Sequence, residues 1–170
     1  MTSTVISSRE AYSLPPAPSV WAGRFTCPED MAEAQRDANL ESIPIARDDS
    51  YRSRLAFVDL GRFRVHDATD DAHIARGAML PRACGILFPW GSLTSGLRVN
   101  GLAFSEGQGV FVKPGAEMHV TMDGPQRWSG IIMDDDAFAA FGGEAWLRAE
   151  AGFFALPDLL RRAPARCRMR

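Results

Sequence analysis

From residue 42 onward the chain alternates short apolar, β-branched runs with clusters of Gly, Pro, Asn and Asp, the pattern of an all-β sandwich or barrel. The runs are Ser42 to Ala46, Ser53 to Leu60, Phe63 to Ala68, His73 to Met79, Cys84 to Trp90 and Gly96 to Val99. Asn100-Gly101 follows, and both central residues of a type I′ turn need positive φ, so Leu102 to Phe104 is predicted as the return strand of a hairpin. Gly109 to Lys113, Glu117 to Met122 and Gln126 to Met133 complete the set, divided by Pro114-Gly115 and Asp123-Gly124-Pro125. Many short strands with tight turns and no crossover helices exclude a parallel α/β sheet. They predict a mainly β fold, a closed or nearly closed antiparallel barrel that hides its edges.

Helical spacing occurs at the two ends. Pro28, Glu29 and Asp30 suit a helix N-terminus, and Met31, Ala34 and Ala38 continue the period, which predicts a helix over 28–39. Asp134-Asp135-Asp136 opens a second helical region whose Phe138, Phe141, Ala145 and Trp146 form an apolar stripe broken at Gly142-Gly143. Pro157 begins a further short helix with Leu156, Leu159 and Leu160 as packing residues. Residues 1–24, rich in Ser, Thr and Pro, read as a poorly ordered arm whose end Trp21 and Phe25 pin to the core. The predicted organisation is therefore an arm (1–24), a barrel with its leading helix (25–133), C-terminal helices (134–162) and a basic tail (163–170).

Composition narrows the function. At 170 residues and 46% apolar content the chain suits one domain with a full core. A formal charge of -2 lacks the positive surplus a general nucleic-acid or membrane-surface binder needs, which leaves a small molecule or a protein as partner. Lys113 is the only lysine, an arginine bias that fits a GC-rich genome. Cys27, Cys84 and Cys167 are odd in number and show no CxxC spacing, so neither a disulfide framework nor a zinc knuckle is supported. No apolar run suits a signal peptide or approaches the roughly 20 residues of a membrane span, and the expected location is the cytoplasm.

The order of elements resembles the N-terminal sensor domain of AraC-type transcription regulators, a cupin-like barrel. The resemblance rests on Phe25 through Leu40 as the leading helix, Leu55 to Gly61 with Phe63-Arg64-Val65 as paired early strands, Gly101 to Phe104 running into Gly109 through Glu117, and the helix from Asp134. It covers roughly residues 25 to 160 and implies effector binding, homodimerisation or both. The family reads DNA through a separate pair of helix-turn-helix units, which this sequence lacks; Arg161 to Arg170 is half arginine without apolar periodicity. Truncation or frameshift of a longer regulator is one expectation, and a solvated tail on a stand-alone domain is the other. DNA would be reached only through that missing half.

The barrel resemblance also poses the question of metal chemistry, because cupins hold metals through histidines and a carboxylate. Only His66, His73 and His119 exist, with no HxH pair, so no metal site, cofactor or catalytic residue is assigned. His119, within Pro114-Gly115-Ala116-Glu117-Met118-His119, resembles one residue of the second cupin motif and is a candidate effector contact or a plain structural histidine. Alternation puts Met118, Val120 and Met122 on one face of this strand and Glu117, His119 and Thr121 on the other. Either face suits an interior, and the cupin likeness favours the polar one. Trp90 and Trp128 are candidate pocket walls, and Arg64, His66 and Asp67 form a polar cluster on one strand. Neither Ser129 nor Cys84 has the neighbours of an activated nucleophile. Phe138, Phe141, Trp146, Phe153 and Phe154 exceed what one helical layer needs and are candidates for a dimer interface. The expected protein is a non-catalytic sensor and dimerisation domain. The rivals are a small cupin enzyme, either an isomerase or a metal-dependent oxygenase, and an interaction protein that poisons full-length relatives by forming mixed dimers.

Overall fold

A computed structural model describes residues 17–45, 51–90, 96–148 and 152–155. The described residues form two antiparallel sheets with short helical segments. The strands are β1 (Ser19–Phe25), β2 (Ala38–Pro44), β3 (Ser53–Asp59), β4 (Phe63–Asp70), β5 (His73–Met79) and β6 (Ala83–Trp90), followed by β7 (Arg98–Val99), β8 (Leu102–Ala103), β9 (Gln108–Val112), β10 (Glu117–Met122), β11 (Gln126–Asp134) and β12 (Gly152–Ala155). One sheet runs β1-β3-β4-β11-β6-β9-β12 and the other β2-β5-β10-β7-β8. The sheets remain separate, so the closed barrel expected from the strand pattern is instead a pair of open sheets with β1, β12, β2 and β8 at their edges. Every strand pair is antiparallel, as the turn-rich sequence requires.

Turn chemistry sets the register. Asn100 (φ 51°) and Gly101 (φ 78°) both occupy the left-handed region and join β7 to β8 with Val99 opposite Leu102, the predicted type I′ geometry. At the interior the two sheets bury Met79, Val99, Val110, Val112, Met118 and Ile132 as one cluster. A second cluster, Met31, Leu55 and Ala68, lies where α1 (Pro28–Ala34) packs on β1, β2 and β3.

Three expectations are corrected at the ends of the chain. Ser19–Phe25 is an edge strand paired with β3, where an arm was expected, because Trp21 stacks on Phe57 with centroids 5.2 Å apart and the ladder then satisfies the backbone. The first helix stops at Ala34; Ala38 and Asn39, expected in it, pair with Met79 and Ala78, so sheet pairing overrides a weak helical period. After β11 the helical region opens and breaks where Asp134 and Gly142-Gly143 predict, as α2 (Asp135–Phe138), a π-turn over Ala139–Gly143 containing Gly142 at φ 84°, and α3 (Glu144–Arg148). Phe153 and Phe154, read as helical, instead lie in β12 against β9. Their side chains go to opposite sides, Phe153 edge-on to Phe104 at 4.7 Å and Phe154 edge-on to Trp146 at 5.1 Å, which a strand permits and one helical stripe does not. The predicted helix at Pro157 and the basic tail lie outside the described residues.

Candidate functional site

Between the two sheets lies a partly open cavity of about 100 Å³. Its walls are apolar, from Leu40, Met79, Val99, Val110, Met118 and Ile132 among others, and a few polar side chains converge on it: Gln35, Asp37, His66, Asp70, His73, Gln126 and Trp128. An apolar chamber with a small number of placed polar groups is the usual form of a small-molecule site. For scale, an apolar cavity on the order of 150 Å³ accepts benzene.

Strand alternation delivers most of the polar set. Along β4, His66, Ala68 and Asp70 are buried toward the interior while Val65 and Thr69 are exposed. On β11, Gln126 and Trp128 share the inner face with Ile132. Asp37 comes from the turn between α1 and β2, and His73 begins β5.

The polar groups form two corners. In the first, Arg64 Nη1 donates to Asp37 Oδ1 and Oδ2 at 3.0 Å each, and Arg64 Nη2 donates to Asp59 Oδ2 at 2.8 Å. The guanidinium lies 4.8 Å from the Phe57 ring centroid, a cation–π contact, and His66 Nε2 sits 3.3 Å from Asp37 Oδ2. Burial works to raise the Asp37 carboxyl, but the hydrogen bond from His66 and the charge of Arg64 outweigh it and hold the group below its ordinary value. Arg64 thus anchors this corner from behind, and His66 and Asp37 reach the cavity.

In the second corner Trp128 Nε1 donates to Asp70 Oδ2 at 2.6 Å. Tyr51, Ser53 and His73 surround the carboxylate; Ser53 is its cross-strand partner, and the His73 ring meets Tyr51 edge-on at 6.1 Å. Burial, chiefly, pushes the Asp70 carboxyl up, against the hydrogen bond from Trp128 and the charge of His73. Burial and the neighbouring Asp70 likewise raise the Tyr51 phenol.

The candidates named from sequence divide accordingly. His66 and Trp128 line the cavity, and Arg64 braces it. Glu117 and His119 are exposed on the outer face of β10, where Asn100 Oδ1 accepts from the His119 backbone N–H at 2.7 Å; Met118, Val120 and Met122 face in, reversing the orientation the cupin likeness favoured. The inner face of that sheet is apolar because the opposite sheet and the α1–β2 turn supply most of the polar groups. Trp90 also lies outside the cavity, its Nε1 donating to Ser129 Oγ on the outer face. Sequence reasoning missed Gln35, Asp37, Asp70, Gln126 and a site role for His73.

Of the aromatic set proposed for an interface, Phe138 is buried and stacks on Phe111 at 4.9 Å, so it belongs to the core. Phe153 and Phe154 pack within the chain, which leaves Phe141, 72% exposed, and Trp146, 41% exposed. Cys84 is buried beneath α2, and burial followed by Asp135 and Asp134 pushes its thiol up to about 11, the opposite of activation. Among the described residues no group of three or more His, Cys, Asp or Glu side chains is arranged to hold a metal, and no helix is long and apolar enough to cross a membrane. No protein-family model, curated protein or solved structure matches the chain.

Proposed function

We propose that this chain is a non-catalytic, cytoplasmic sensor domain resembling that of AraC-type regulators, and that its effector is a small molecule held between the two sheets. The cavity is the observation that carries the reading: its walls are apolar, and its polar groups stand at two separated corners, which suits recognition of shape and of one or two head groups. Asp37 is already fixed by Arg64, with His66 beside it, so the direction of its carboxylate is set before a ligand arrives. An effector that fits one spacing of the sheets better than another shifts the population between them, which is all a sensor needs to do. The cupin-like resemblance gives the same reading a second function, homodimerisation, for which Phe141 and Trp146 are the exposed aromatic residues. DNA would be reached only through a separate helix-turn-helix domain.

Ala75 tests the cavity directly. It is 8% exposed, lies in β5 and lines the chamber, so Ala75→Leu fills the space from a central strand. The variant is expected to stay within about 1 kcal/mol of wild type, because the added methyl groups enter existing room. Fragments that show saturation transfer on the wild-type protein should lose it on Ala75→Leu. A fragment library that gives no signal, or signals untouched by the substitution, would remove the sensor reading.

A further inference from the structure

Two carboxylates line the cavity, and the protein serves them differently. Asp37 has the Arg64 guanidinium and His66. Asp70 is 4% exposed and, among the described residues, has no Arg or Lys in ion-pair contact. Its Oδ2 accepts from Trp128, while Oδ1 has no hydrogen-bond partner. The groups around it do not supply a cation of fixed charge. The Tyr51 phenol and the charge of His73 both favour the ionised carboxyl but are outweighed by burial, Ser53 Oγ has no hydrogen bond, His73 directs Nδ1 to the Asp71 carbonyl at 2.8 Å, and the Asp71 carboxylate adds negative charge. Among the described residues no Arg or Lys lines the cavity, and burial holds the Asp70 carboxyl above its ordinary value. A buried carboxylate in this position is costly until a proton or a cation reaches it.

The rest of the chamber limits what that cation is attached to. Met79, Met118 and Met122 supply a soft, adaptable wall, and about 100 Å³ admits only a short body. We infer that the ligand class of the inter-sheet cavity is a small primary amine with a short apolar chain, its ammonium pairing with the Asp70 carboxylate and its chain lying along the methionine wall. The inference rests on the cavity being the effector site and adds the chemistry of the effector's head. An anion is disfavoured by Asp70, and a neutral alcohol makes only an ordinary hydrogen bond there.

Three probes of equal chain length isolate the head group: n-butylammonium, n-butanol and butyrate. Each is titrated into the full chain at neutral pH and one ionic strength, and the indole N–H resonance of Trp128 is followed, since that group is bonded to the same carboxylate. n-Butylammonium should bind about tenfold tighter than n-butanol, with butyrate weakest. In Asp70→Asn the amine should lose its advantage while n-butanol binds as before. n-Butanol equalling or exceeding the amine on the wild-type protein overturns the inference whether or not the variant folds, and so does an amine preference that survives in Asp70→Asn. If none of the three binds while other fragments do, the amine inference falls and the sensor reading stands; if no fragment binds, both fall.

Discussion

Phe111→Ala is expected to lower the unfolding free energy by about 4 kcal/mol, measured by urea denaturation. Phe111 is 1% exposed and lies on the outer face of β9, next to the fully buried Cys84. It stacks on Phe138 at 4.9 Å and meets Trp146 edge-on at 5.6 Å, so one ring holds both α2 and α3 to the sheet. Its removal leaves a void that a sheet of hydrogen-bonded strands collapses into poorly, which puts the cost toward the upper part of the range for such changes. The near-ultraviolet signal of Trp146 should weaken with it. A loss below about 1 kcal/mol would mean that the helical segment does not pack on β9.

Gly77→Ala should cost about 3 kcal/mol, and its sign is as informative as its size. At a permissive position the same change stabilises by roughly 0.4–1 kcal/mol, through the unfolded state. Gly77 is not permissive: its φ is 154°, and a Cβ there would lie 1.9 Å from the Asn39 carbonyl oxygen and 2.9 Å from its carbon. Both atoms are backbone, so no side chain can swing aside, and β2 must part from β5 where Leu40 faces Gly77. Since β2 carries Ala38 and Leu40 into the cavity wall and follows Asp37, fragment binding should weaken along with stability. Thermal melts compared with wild type decide it; a variant as stable as wild type would contradict the β2–β5 pairing.

How far the sequence reveals this molecule depends on what punctuates each element. β5 and β10 begin and end where predicted, because Gly, Pro and Asp bracket them, and the Asn100-Gly101 turn is legible from its chemistry alone. β1, the start of β2 and β12 are not legible, since each exists by virtue of a partner strand remote in sequence. The site follows the same rule. His66 and Trp128 are visible as polar or amphipathic residues on strands whose flanking turn residues mark them out. Asp70 is missed because β4 was predicted to end at Ala68, which hides the same-face series His66, Ala68, Asp70. Asp37 is missed because it falls inside the overlong predicted helix. For β10, alternation separates the methionines from Glu117 and His119 but carries no sign; only the apolar surface of the facing sheet decides which set points inward.

The central claim is that a small molecule binds between the sheets, and methionine methyl groups report on it best. Met79, Met118 and Met122 line the cavity, whereas Met31 lies on the buried face of α1 and Met133 lies against the outer cluster. A fragment that binds the full chain should move the methyl resonances of the first three together, along one saturation curve, and leave Met31 and Met133 in place. Shifts that spare Met79, Met118 and Met122, or that scatter over all five, would contradict a ligand site between the sheets.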